Sequence, residues 1–244
     1  MRYFFAGVFL ITLVVCGPSL LPAEEPAGEE KPPDVNTLIA DLESPEESVK
    51  MRARALLAGM GEEAGPPLLS ALEAAGEKKA GDLIEILGFI RYRPAAPAVE
   101  KAWQETDSVP LKLMAAQALC RLDHNYSRYQ GYILSQVRSG GEGDRMAAMQ
   151  MLGYIGDRRV IGPLADIFGD SGLPDQVRQA AIWDLAHTPY RESAEILVGL
   201  LNDPELDWFY KEIIIAALRR LAGQEGMAPI VSELLEKSQG LPQR

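Results

Sequence analysis

The chain is predicted to be all-α: a right-handed α-solenoid (α-α superhelix) of about six helix pairs closed by a C-terminal capping helix. Three observations predict it. Leucines recur at Leu57, Leu87, Leu119, Leu152, Leu185 and Leu218, in steps of 30, 32, 33, 33 and 33 residues. A period of this size marks stacked supersecondary units, none of which buries its apolar face alone. Hydrophobic residues make up 47% of the chain and aromatic ones only 7%, with Ala, Leu and Glu abundant, a balance that favours helices over strands. No stretch alternates convincingly with period two, so no sheet is required.

In chain order, residues 1-23 read as a secretory signal peptide. Arg2 supplies the positive start, Tyr3 to Val15 is a 13-residue apolar run, Gly17-Pro18 breaks it, and Leu21-Pro22-Ala23 precedes acidic Glu24-Glu25. Thirteen helical residues span about 20 Å, short of a bilayer core of roughly 30 Å. The expected outcome is therefore export to the periplasm or cell envelope, with cleavage near Ala23. A second reading follows from Leu13-Val14-Val15-Cys16, which resembles a bacterial lipoprotein box and would make Cys16 a lipid anchor. Val15 is larger than the residue that box has before its cysteine, which weighs against it. Residues 24-34, EEPAGEEKPP and the following Asp, form a self-repelling Pro/Glu-rich linker. The repeats occupy 35-238, and 239-244 form a disordered tail.

Within the repeats each leucine closes one helix. In Pro174 to Ala186, Val177, Ala181 and Leu185 fall four apart on a single stripe. Pro174 and Asp175 suit the first turn, where a missing N–H is harmless and a carboxylate meets the positive dipole end. The same stripe returns as Ala53/Leu57, Leu83/Leu87, Ala115/Leu119, Ala148/Leu152 and Ile214/Leu218. The small alanines let neighbouring helices approach closely. A turn and often a proline (Pro67, Pro97, Pro163, Pro229) then open a second helix, and breakers such as Ser44-Pro45, Gly140-Gly141 and Asn202-Asp203-Pro204 separate the units. The closing helix runs from about Met227 to Lys237.

Leu152-Gly153-Tyr154-Ile155-Gly156-Asp157, followed by Ile161-Gly162-Pro163-Leu164, resembles the HEAT-repeat signature in its short bacterial, phycobilisome-lyase-related form. Asp175-Gln176-Val177-Arg178 with Ala180-Ala181 resembles the other half of that signature. The resemblance covers about residues 35 to 238. It implies the solenoid fold, and little about function, since such repeats serve scaffolds, lyases, nucleases and inhibitors alike.

The formal charge of −11 opposes nucleic acid as a partner; a protein or peptide, cationic if charged, fits better. Beyond Cys16, Cys120 is the one remaining cysteine and reads as a small core residue. Lys50, Lys112, Arg145, Arg178 and Lys211 recur at one register position and read as stripe-edge residues, with stems over apolar surface and heads meeting acids. Trp208-Phe209-Tyr210 is expected to pack against the final helix.

The candidate binding residues lie opposite the buried stripe, two before and two after each ladder leucine. One row holds Glu85, Gln117, Gln150 and Trp183; the other holds Phe89, Arg121, Tyr154, His187 and Arg220. Aromatic rings and guanidiniums dominate binding energetics, and in the resembled family this helix lines the concave surface. No catalytic, metal or cofactor constellation is found. The two histidines, His124 and His187, stand two repeats apart, on the order of 20 Å at roughly 10 Å per stacked helix, and cannot share one metal. Phosphate-cradling glycine loops and serine elbows are absent too.

The expected function is a non-catalytic interaction scaffold in a bacterial cell envelope, holding a peptide or protein in its groove and using no cofactor. Two alternatives follow from the same features. The resemblance to bilin lyases implies a chromophore-handling protein, and Trp183 with Tyr154 would suit a carbohydrate-binding module.

Overall fold

A computed structural model describes residues 34–239, so the expected signal peptide, most of the linker, Cys16 and most of the tail lie outside the described residues. Thirteen α-helices fill them: α1 (Val35–Asp41), α2 (Glu47–Gly59), α3 (Gly65–Ala74), α4 (Glu77–Phe89), α5 (Ala96–Glu105), α6 (Val109–Arg121), α7 (Tyr126–Ser139), α8 (Glu142–Tyr154), α9 (Ile161–Gly169), α10 (Asp175–Ala186), α11 (Arg191–Leu201), α12 (Trp208–Ala222) and α13 (Met227–Gln239). They form six pairs and a closing helix, an all-α solenoid, and no strand occurs among the described residues.

The even-numbered helices carry the leucine ladder. Each touches the next along the row, α2 to α4, α4 to α6, α6 to α8, α8 to α10 and α10 to α12. The odd-numbered helices form a companion row behind them. The core lies between the rows: Leu57, Leu87, Leu119, Leu152 and Leu185 are fully buried, with Ala53, Ala115, Ala148 and Ala181 beside them. Removing side chains of this size from water stabilises each unit by about 1.5–3 kcal/mol per residue.

The turn between a ladder helix and the next companion helix repeats as well. The residue four past the leucine is left-handed in four successive units: Gly61 (φ 60°), Arg91 (φ 55°), Asp123 (φ 57°) and Gly156 (φ 62°). At Arg91 and Asp123 the following amide reaches back to the ladder leucine, Tyr92 N–H to the Leu87 carbonyl at 3.1 Å and His124 N–H to the Leu119 carbonyl at 3.0 Å. This is the six-to-one bond that closes a helix around a left-handed residue. In the fifth unit the position is Pro189, whose ring forbids it. Prolines then fall in the first turns of α3, α5, α9 and α13, where no helical N–H is lost.

The cationic row does structural work. The Arg178 Nε donates to the Phe168 carbonyl at 2.8 Å, and its guanidinium lies over the rings of Phe168 and, in the next unit, Tyr210. Arg145 donates to the Gly140 carbonyl at 3.1 Å, and Lys50 pairs with Glu47. Cys120 is buried, and that burial pushes its thiol up to about 12.

One packing expectation is corrected. Of Trp208-Phe209-Tyr210, only Tyr210 is buried, and it packs backward rather than against α13. Its hydroxyl donates to Asp175 at 2.8 Å, and its ring meets Phe168 edge-on at 5.4 Å. Trp208 stays 72% exposed. Asp207 caps α12 through the Phe209 amide, and this sets Trp208 on the first turn, facing away from the units on either side.

Candidate functional site

Opposite the companion row, the ladder helices present one continuous strip of side chains. At the α4 end Phe89 is exposed, and the Arg121 guanidinium of α6 sits 5.1 Å above its ring. Arg121 is largely enclosed there. Burial, and after it the neighbouring Arg91, pulls its pKa down, and its Nε has no hydrogen-bond partner. Tyr154 at the end of α8 is exposed and accepts a bond from Gln150 at 3.2 Å. On α10, Trp183 is exposed, and His187 Nδ1 donates to the Trp183 carbonyl at 2.7 Å, which leaves Nε2 as the acceptor nitrogen. Arg220 of α12 is exposed at the far end.

Gln117 is a correction. It was expected on the exposed row but is only 4% exposed, and its Nε2 donates to the Tyr154 carbonyl at 3.2 Å. It ties α6 to the end of α8 and is unavailable to a partner. The structure thus brings Phe89 to Arg121, Gln117 and Gln150 to Tyr154, and His187 to Trp183, while Arg220 stands apart.

The residue missed from sequence is Asp184. Its carboxylate faces Gly153 of α8, where an added β-carbon would lie 2.4 Å from Oδ1 and 2.8 Å from Oδ2. The acid therefore occupies the space that glycine's missing side chain leaves. Among the described residues it has neither an ion pair nor a hydrogen bond through its carboxylate, and burial alone pushes its pKa from 3.8 up to about 8. Tyr154 follows Gly153 in the chain, and His187 stands one helical turn along from Asp184. A signal existed: the residue before each ladder leucine reads Leu56, Ile86, Ala118, Met151, Asp184 and Ala217, one charge in an apolar column.

Two other places compete. In the companion row, Glu100 accepts from Tyr129 at 2.6 Å and pairs with His124 at 2.9 Å and Arg128 at 3.1 Å. The Tyr129 bond, then the His124 bond, holds its carboxyl below the usual range. Every donor there is spent on one carboxylate, so the cluster joins α5 to α7 rather than awaiting a ligand. Between α3 and α5 lies an open cavity of about 890 Å³, floored by Leu72, Ala98 and Leu111 and rimmed by Glu73, Lys101 and Asp107. Among the described residues no group of three or more His, Cys, Asp or Glu side chains is placed to hold a metal ion.

The chain matches no family model, and no curated relative matches it. Among solved structures it is similar to the complex of CpcE and CpcF of phycocyanin lyase from Nostoc sp. PCC7120, at 18% identity and a TM-score of 0.44. The match covers 91% of this chain and 100% of that one. No residue role is carried over from a likeness of that degree. The expectation of a non-catalytic scaffold with a peptide groove is corrected here: the similar solved structure is of a phycocyanin lyase complex, and the groove lacks Gln117.

Proposed function

We propose that the protein handles an open-chain tetrapyrrole of the bilin class, bound along the exposed strip of the ladder helices. The observation that carries this reading is the succession Phe89, Arg121, Tyr154 and Trp183, one residue from each of four consecutive ladder helices. A bilin is a flat, conjugated chain with two carboxylate arms. Rings stack on its faces, and guanidiniums pair with its carboxylates bidentately. Arg121, whose guanidinium lies over Phe89 on this strip, is the cation that would take one of those arms.

Biliverdin added to the purified protein tests the reading. A shifted visible band with quenched tryptophan fluorescence is expected. Trp183→Ala should weaken binding about tenfold, equivalent to about 1.4 kcal/mol, with the melting temperature nearly unchanged. An unmoved band and unquenched fluorescence in the wild type would end the proposal. Quenching by oligosaccharides but not by biliverdin would favour the carbohydrate alternative.

A further inference from the structure

We infer that Asp184 is the acid of this face: it gives its proton to a basic ring nitrogen of the bound ligand and remains beside it as the counter-ion. The inference rests on the bilin reading and adds to it the charge state of the ligand and the residue that sets it.

Three independent features carry it. The first is register. Five of the six positions before the ladder leucines are apolar, Ala118 among them packing on the preceding ladder helix, and only Asp184 places a carboxyl there. The second is room. The equivalent contact between α4 and α6 is closed by Gly88 against Ala118, with a β-carbon on Gly88 falling 2.8 Å from the Ala118 β-carbon. At α8 and α10 the facing glycine is filled by the carboxyl of Asp184 instead. The third is the lack of a partner. The acid faces Gly153 on α8, and His187 follows three residues later on its own helix. Neither donates to it or pairs with it among the described residues.

An unpaired carboxyl partly withdrawn from water between two helices favours its neutral form, and burial raises this one accordingly. A neutral acid facing a conjugated ligand with a basic imine-type nitrogen has one transfer open to it. The proton leaves the Asp184 oxygen for the ring nitrogen, forming one N–H and breaking one O–H. The products are a cationic ligand and a carboxylate. Each then supplies the partner the other lacked. A charge-assisted N–H to carboxylate bond in such a site is roughly twice as strong as a neutral one.

The test compares biliverdin complexes of the wild type and Asp184→Asn at pH 7.5, where the ring nitrogens of free biliverdin are unprotonated and its two carboxylate arms are ionised. The wild-type complex should show the red-shifted band of the protonated chromophore. Asp184→Asn should still quench tryptophan fluorescence, because the stacking strip is intact, but its band should stay that of the neutral chromophore, with affinity lowered roughly tenfold. Its melting temperature should be no lower than the wild type's, so altered spectra cannot be ascribed to misfolding. A protonated band in both proteins overturns the role of Asp184 and leaves the bilin reading standing. Absence of any shift or quenching in the wild type removes the bilin reading, and this inference with it.

Discussion

Among single residues, Asp184 has the clearest measurable consequence. Its folded-state pKa is raised from 3.8 to about 8, so between those values the folded chain holds a proton that the unfolded chain releases. Stability from this residue is complete below pH 4 and is lost as the pH climbs towards 8. Asparagine fills the same space and does not titrate. Asp184→Asn should therefore melt close to the wild type at pH 4 and above it at pH 8. The gap should be on the order of 1–3 kcal/mol, the range for a buried polar group left unsatisfied. Thermal melts at the two pH values check it, and a pH-independent difference would mean that the carboxyl is solvated. Gln117 gives the complementary lesson. A helical wheel records direction from one axis and is blind to how near the neighbouring helix stands, so it placed Gln117 in solvent. In the structure the last turn of α8 covers it and offers a carbonyl.

At the level of the helix and its turn, the ladder was legible because its cause is local: a period near 33 and a four-residue stripe prescribe both the helices and the side they bury. The predicted first-turn prolines fall where expected for the same reason. The turns were less legible, since left-handed backbone is readable from glycine at Gly61 and Gly156 but not from Arg91. An L-residue in that conformation is strained by roughly 1–2 kcal/mol. Arg91 is exposed and its side chain forms no ion pair among the described residues, so Arg91→Gly should raise stability by about 1 kcal/mol in urea melts. The equivalent change at Asp123 would gain less, because Asp123 pairs with Arg159 at 2.8 Å. Within the helix itself, Leu152→Ala removes a fully buried side chain from between the rows and should cost about 2–5 kcal/mol. A loss under half a kilocalorie would place the buried stripe elsewhere. The reading of Trp208-Phe209-Tyr210 failed at this level too: three rings in a row cannot share one face, and the sequence does not say which neighbour claims the buried one.

Across the whole array, stability should be a sum of units and nearest-neighbour contacts, because each helix touches mainly the pair before and after it. The end unit depends on α13, which buries Met227 and Val231 and brings Glu233 to Arg191 at 3.1 Å. Ending the chain after Gly226 would expose Leu221, now fully buried, and leave α12 without a cover. Such a chain should lose amide-exchange protection in α11 and α12 while α4, α6 and α8 keep theirs. The same change separates the two ends of the proposed binding strip. Arg220 rides on α12 and would loosen, whereas Phe89 with Arg121 lies three ladder helices away and would hold. Biliverdin should then still stack on Trp183 and so keep quenching its fluorescence. Protection lost evenly from α2 to α12 would instead show one cooperative body, and the strip would have to be treated as a surface that assembles or fails as a whole.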